Sequence, residues 1–175
     1  MSNVPSGAEP AAGYLTVVDS PVQGLLGGYL ILNVLGRPLE FHCTAPIKPN
    51  RAQEILYGAT LLPFIYGEQI GQTLLRATQL KVPLVLTDLV PMLATAELVK
   101  EPVALLLPQA AGQGTMPPGL ALLELTTVQV GIPNSKQADR AGISAAIARL
   151  GDSFDWPEPF GRIRDAIGEA QRAAA

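Results

Sequence analysis

A long apolar run from Leu25 to Leu35 (LLGGYLILNVL) restricts the fold of this chain more than any other segment. The run is too short to span a membrane, which takes about 20 residues. Such continuous apolarity is typical of a strand that is covered on both faces, or of a central strand in an antiparallel sheet. The rest of the chain must therefore supply the elements that cover it.

Shorter β-rich segments flank this run on both sides. Tyr14–Asp19 (YLTVVD) precedes it and Leu39–Ala45 (LEFHCTA) follows it, with turn-forming residues at 20–24 and 36–38. Strands joined by short turns pair as antiparallel neighbours, so the sequence predicts a three-stranded meander. Residues 1–13 lack the basic and apolar regions of a signal peptide, and we expect them to form a disordered tail.

The next segment has the pattern of a helix. Asn50 and Gln53 have the spacing of a capping box, which begins a helix. Small and apolar side chains then recur at helical spacing and are predicted to lie on one stripe of this helix: Ala52, Ile55, Leu56, Ala59 and Leu62. Pro63 predicts a kink or a stop, followed by a second helical segment over about 64–78. That second segment would bury Ile70, Leu74 and Leu75.

Strands and helices alternate in the second half of the chain. We predict strands at Val82–Thr87, Pro102–Leu107 and Leu120–Val130, a short helix over Asp88–Lys100, and an exposed loop at Gln109–Gly119.

Two helices are predicted after these strands. The first covers about 137–150, with Gly151 at the position after its end. The second follows a capping-box spacing of Asp155 and Glu158 and has four expected core residues: Phe160, Ile163, Ile167 and Ala170.

This order of elements predicts an α+β or α/β fold. A mainly antiparallel sheet, starting with the three-stranded meander, would pack against helices and be followed by a C-terminal helical segment. We expect one globular domain over residues 14–151. Residues 152–175 would form a helical appendage that docks on this domain or on a partner.

Charged residues are scarce, at 15% of the chain against about 25% in an average protein. The 12 Lys and Arg and 15 Asp and Glu give a net charge of −3, which disfavours direct binding to nucleic acid or to a membrane surface. So few charges leave apolar surface that we expect a partner to cover. Cys43 is the only cysteine, which excludes a disulfide framework and favours a reducing cytoplasm.

The strongest candidates for chemistry lie on the predicted third strand. Side chains alternate along a strand, so Glu40 and the only histidine, His42, share one face, while Cys43 lies on the other, with Leu39 and Phe41 towards the core. A metal ion or a general-base mechanism would need a further carboxylate, such as Asp88 after the next strand. A surface pair is the commoner role for a histidine beside a carboxylate, and we predict no metal and no cofactor.

Motifs for phosphate binding and nucleophilic catalysis are missing from the sequence. Gly24, Gly27 and Gly28 lead into a strand, whereas a phosphate loop leads into a helix. These glycines instead predict a bulge or a close strand crossing. No glycine-flanked serine or paired-histidine zinc motif is present either.

These observations favour a non-enzymatic, cytoplasmic protein-interaction or scaffolding module. It would be a homo-oligomer or a subunit of a larger assembly. The loop at 109–119 and five aromatic residues are the expected contacts: Tyr57, Tyr66, Phe154, Trp156 and Phe160. The alternative is a small-ligand-binding or metal-binding protein, or a hydrolase-like enzyme, that uses Glu40, His42 and Asp88. An accessory subunit that reaches nucleic acid through a basic partner is a third hypothesis.

Overall fold

A seven-stranded mixed sheet forms the centre of the molecule in the computed structural model, which describes residues 7–108 and 116–175. The strands are β1 (Pro10–Ser20), β2 (Gly24–Asn33), β3 (Pro38–Cys43), β4 (Val85–Thr87), β5 (Val103–Leu107), β6 (Leu120–Glu124) and β7 (Gln129–Pro133). Their order across the sheet is β3-β2-β1-β4-β5-β7-β6. β1, β4 and β5 are parallel neighbours, and the other pairings are antiparallel. The α+β class is confirmed, but the sheet is mixed rather than uniformly antiparallel.

The predicted meander is formed by β1, β2 and β3. β1 begins at Pro10, so residues 10–13 belong to the sheet, and Ala11 and Ala12 are buried there. The expectation of a disordered tail over residues 1–13 is therefore wrong for its last part, and residues 1–6 lie outside the described residues. Small residues are needed at this end of β1 because Gly13 lies directly against the ring of Tyr29.

β2 is covered on both faces, as its apolar run predicts. A Cβ atom on Gly27 would lie 2.1 Å from a methyl group of Ile70, and one on Gly28 would lie 2.3 Å from a methyl group of Ile163. Ile70 and Ile163 belong to helices on opposite faces of the sheet. The two glycines therefore let helices approach the sheet closely from either side.

The chain between β3 and β4 is mostly helical over residues 51–77, with a break at Gly58, whose backbone (φ 51°, ψ −126°) is not helical. Its segments are α1 (Arg51–Tyr57), a 3-10 turn (Gly58–Thr60), α2 (Leu61–Pro63), a π-helix (Phe64–Gln72) and α3 (Thr73–Ala77). The capping box of Asn50 and Gln53 is confirmed. Pro63 does not end the helical region; the π-helix starts at the next residue. The second half buries Ile70, Leu74 and Leu75, as predicted.

Two hydrophobic cores lie on the two faces of the sheet. The π-helix, α3 and a 3-10 helix (Val90–Glu97) pack on one face. On the other face lie α4 (Arg140–Leu150), which follows a 3-10 turn (Asn134–Asp139), and α5 (Glu158–Ala173). Ile163 and Ile167 of α5 are buried against β1 and β2, so residues 152–175 dock on the sheet of their own chain.

Three local predictions in the second half need correction. Leu120–Val130 is not one strand, because backbone hydrogen bonds between Leu125 and Val128 close a turn between β6 and β7. The capping box of Asp155 and Glu158 does not form, since Pro157 precedes the first residue of α5 and no side chain caps it. Ala170 is exposed. Most of the predicted loop at 109–119 lies outside the described residues.

Within residues 7–108 and 116–175, every helix is too short or too polar to cross a lipid bilayer.

Candidate functional site

A helical arm, defined here as residues 51–63, projects from the molecule. Exposed fractions are 66% for Ile55, 82% for Leu56 and 48% for Leu62. Ala52 and Ala59, the remaining members of the predicted stripe, are exposed as well. The prediction of one continuous helical stripe is wrong, because the helix is interrupted at Gly58, which has φ 51° and ψ −126°. The residues of the predicted stripe instead form an open apolar surface.

The arm is held firmly at its base. The ring of Tyr57 stacks on that of Phe64 with 4.5 Å between ring centroids, and the Thr60 hydroxyl donates to the Tyr57 carbonyl at 2.7 Å. At the other end, Arg51 and Glu54 form an ion pair of 3.0 Å. These contacts lie within the arm or join it to the π-helix, so they fix its direction and leave the stripe formed by residues such as Leu56 and Ala59 uncovered.

A groove of about 1400 Å³ lies at the carboxyl ends of β4 and β5. We define the groove by the segments Leu105–Pro108, Thr126–Gln129 and Asp152–Pro157, which line it. Two further apolar side chains on its lining are exposed, Val90 at 48% and Leu122 at 41%. The groove is thus a second open apolar surface, concave where the arm is convex.

Three of the aromatic residues predicted as contacts lie beside this groove. Trp156 and Phe160 are buried in their own chain, and Phe154 is partly buried, packing edge-on against Trp156 at 5.1 Å. Their burial makes Trp156 and Phe160 core residues rather than free contact residues. Of the two predicted tyrosines, Tyr57 is exposed at the base of the arm and Tyr66 is half-buried in the π-helix.

Two buried polar atoms on this side of the sheet have no hydrogen-bond partner within the described part of the chain. They are the Nε1 atom of Trp156, beside the groove, and the hydroxyl of Tyr14. Burial raises the pKa of Tyr14 far above its ordinary value, so the hydroxyl stays protonated. The ring of Tyr14 packs edge-on against Phe160 at 4.9 Å. An unpaired buried donor is costly, and a ligand acceptor that reached Trp156 would relieve that cost.

Asp88 lies at one end of the groove and is held by neighbours from two elements. Its carboxylate accepts a hydrogen bond of 2.6 Å from the Thr16 hydroxyl and pairs with the Arg164 guanidinium of α5. Three strand spacings, or about 14 Å, separate β4 from β3 across the sheet. The structure therefore does not bring Asp88 together with Glu40 and His42.

Glu40 and His42 lie side by side on β3, as strand alternation predicts. The His42 Nε2 and Glu40 Oε1 atoms are 2.5 Å apart. The same carboxylate accepts backbone hydrogen bonds from Gln79 at 2.9 Å and Leu80 at 3.1 Å. The His42 hydrogen bond, followed by these backbone N–H groups, lowers the pKa of Glu40 to about 2. This carboxylate therefore ties the edge strand to the segment that follows α3.

The predicted orientation of β3 holds for Leu39, which is partly buried against the core, but is wrong for Phe41 and Cys43. Phe41 and Cys43 are exposed, while Glu40 and His42 lie on the more buried face. The reason is that β3 is an edge strand: α5 packs over β1 and β2, whereas the residues after α3 cover the opposite face of β3. Among the described residues, no cluster of three or more His, Cys, Asp or Glu side chains is arranged to hold a metal ion.

The sequence predicts contact residues that lie beside the groove, Phe154 and Trp156 among them, but not the groove itself. Its lining comes from the ends of β5, the β6–β7 turn and the segment before α5, which are distant in sequence. Only the strand order brings them together. Comparisons with protein-family models, with curated proteins and with solved structures find no match for this chain.

Proposed function

We propose that this protein is a non-enzymatic interaction module whose arm binds another protein chain. It acts as a homo-oligomer or as a subunit of a larger assembly. The observation that carries this proposal is the exposed stripe of the arm, with Ile55, Leu56 and Leu62 on its surface. Exposed apolar clusters of this kind mark interaction sites in soluble proteins.

The energetics of the arm support this proposal. Burying an exposed leucine or isoleucine side chain in an interface contributes about 1.5–3 kcal/mol. The capping box and the stacking of Tyr57 on Phe64 order the arm before it meets a partner. An ordered arm loses less conformational entropy on binding, so more of that burial energy remains as affinity.

The enzyme alternative has weaker support at Glu40 and His42. Glu40 already accepts hydrogen bonds from His42 and from two backbone N–H groups. A carboxylate committed to structural donors in this way, with its pKa lowered, is a poor general base near neutral pH. We therefore infer a structural role for this pair.

A reducing cytoplasm is the compartment we propose. Cys43 is an exposed free thiol. Exposed thiols persist in reducing compartments and are oxidised or paired elsewhere.

Photo-crosslinking from the arm tests the interaction proposal. The photoreactive residue p-benzoylphenylalanine replaces Leu56 in one variant and Leu35 in another; Leu35 is the matched control, 71% exposed in the β2–β3 turn. After irradiation in the producing cells, we expect discrete adducts of any mass from position 56 and few from position 35. Equal crosslinking from both positions would contradict the proposal.

Small-ligand binding in the groove is a second candidate function. The unpaired, buried Nε1 atom of Trp156 beside the groove is the observation that favours it. Trp156 is the only tryptophan, so its emission reports on this site alone. At a chain concentration low enough for the protein to be monomeric, titration with anilinonaphthalene sulfonate should give energy transfer from Trp156 that Leu122→Glu weakens and Leu56→Glu leaves unchanged. Transfer that depends on Leu56 instead would place the dye on the arm.

A further inference from the structure

Two open apolar surfaces of opposite shape occur on this one chain, the convex arm and the concave groove. We propose that the arm of one molecule binds in the groove of a second copy. This inference rests on the proposed function, because it takes the arm as the contact surface. It adds the identity of the partner and the place where the arm binds.

The size of the arm suits the groove. The straight helical part of the arm, α1 (Arg51–Tyr57), is about 10 Å long, at about 1.5 Å per residue, and about 10 Å across with its side chains. A cylinder of these dimensions occupies roughly 800 Å³. The groove holds about 1400 Å³ and can therefore contain this part of the arm.

The chemistry of the two surfaces also matches. Residues 55–63 of the arm (ILYGATLLP) carry no charge. They would meet the leucine side chains at the end of β5 and the exposed rim residues Val90 and Leu122. An amphipathic helix that lays its apolar face into such a groove is a recurring mode of recognition between protein chains.

Charge complementarity favours the same partner. The arm and the groove each contain one internal ion pair, described above. Beyond those pairs, the chain leading into the arm carries Lys48, and the groove wall carries Asp152 and Asp155. Within the described residues, neither aspartate has an ion-pair partner. A lysine just before the start of the arm, placed beside an acidic groove wall, attracts a second copy despite the net negative charge of each chain.

The arrangement also provides two contacts per dimer. Each molecule has one arm and one groove. In a dimer with a twofold axis, the arm of each molecule can bind in the groove of the other, so the same contact is made twice. Duplication matters because one short helix covers less than the roughly 800 Å² per partner of a standard interface.

A complementation experiment with full-length chains tests this inference. Leu56→Glu places a charge on the binding surface of the arm and leaves the groove unchanged. Leu122→Glu places a charge in the groove and leaves the arm unchanged. Both positions are exposed, so the variants should fold, and Val90→Glu is a second groove variant in case Leu122→Glu does not. In sedimentation velocity, each variant alone should be monomeric. Their equimolar mixture should form a heterodimer through one intact contact, at a higher chain concentration than the wild-type dimer, which has two. Leu35→Glu, the control, should associate like the wild type.

Trp156 emission gives an independent readout because Trp156 lies in the groove. With wild-type chain its emission should shift as concentration rises, with the same midpoint as association. With Leu56→Glu the shift should move to a concentration at least about tenfold higher or disappear.

Two other results would overturn this inference. Association of Leu122→Glu and Val90→Glu like the wild type, with no heterodimer in the mixture, would show that arms pair with each other. A wild-type chain that stays monomeric at every concentration would exclude a second copy as partner. In that case, crosslinks from position 56 to chains of other masses would keep the proposed function, and their absence would remove it as well.

Discussion

Glu40 links its edge strand to the rest of the molecule through hydrogen bonds that need a charged acceptor. Replacing it with glutamine keeps the size but weakens the bonds to Gln79, Leu80 and His42. Hydrogen bonds to a charged group contribute about 1.5–3 kcal/mol, so we expect Glu40→Gln to lower the free energy of unfolding by about that amount at pH 7. Urea unfolding measures it. Glu54→Gln, which loses only the exposed pair with Arg51, is the control and should cost less than about 1 kcal/mol.

The same carboxylate predicts a pH dependence. Its pKa is lowered from 4.5 to about 2 in the folded protein, so the unfolded chain takes up the proton first as the pH falls. The stability that Glu40 contributes is therefore complete above about pH 4.5 and is lost progressively between that pH and about 2. The difference in unfolding free energy between wild type and Glu40→Gln should shrink between pH 6 and pH 3. A constant difference across this range would contradict the assignment.

Gly28 and Gly161 form a matched pair for testing how closely helix and sheet approach. A Cβ atom on Gly28 would meet Ile163, whereas one on Gly161 of α5 has open space around it. We expect Gly28→Ala to destabilise the protein by about 1–3 kcal/mol through overpacking. Gly161→Ala should stabilise it by about 0.5–1 kcal/mol, because alanine favours the helix. Thermal unfolding measures the change in stability of each variant relative to the wild type. Equal changes in the two variants would exclude the close approach of α5 to Gly28.

At the scale of elements, α5 belongs to the core of the domain. Ile163→Ala should cost about 2–5 kcal/mol, as expected for a buried isoleucine, whereas Ala170→Ser at an exposed position should have little effect. Deletion of residues 154–175 should abolish cooperative unfolding, as measured by circular dichroism. A truncated chain that still unfolds cooperatively would show that the segment is an appendage.

Elements that are determined by neighbouring residues in the sequence could be predicted. Which other elements pack against them could not. The meander and the capping box at Asn50 follow from the short turns between β-rich segments and from cap chemistry. The β6–β7 turn was missed because residues 125–128 (LTTV) carry none of the usual turn residues. The stripe at Ile55 and Leu56 shows a further limit: periodicity defines an apolar face, but not what covers it.

At the scale of the whole molecule, stability should depend on concentration. A chain that associates when folded gains stability by mass action. The melting temperature of wild type should therefore rise over a hundredfold range of concentration, and that of Leu56→Glu should stay constant. Differential scanning fluorimetry measures both, with Leu35→Glu as the control that should rise like wild type. A wild-type melting temperature independent of concentration would argue against self-association.

The residues of the projecting arm and those of the two cores are under different evolutionary constraints. Residues 51–60 contribute no buried side chain to either core, and Leu61, which is partly buried, is where the arm packs against the core on the π-helix face. Mutations there cost the fold little and are selected almost entirely through what the arm binds. A lineage could therefore change its partner by rewriting one short stretch of sequence while the sheet and its two cores stay as they are.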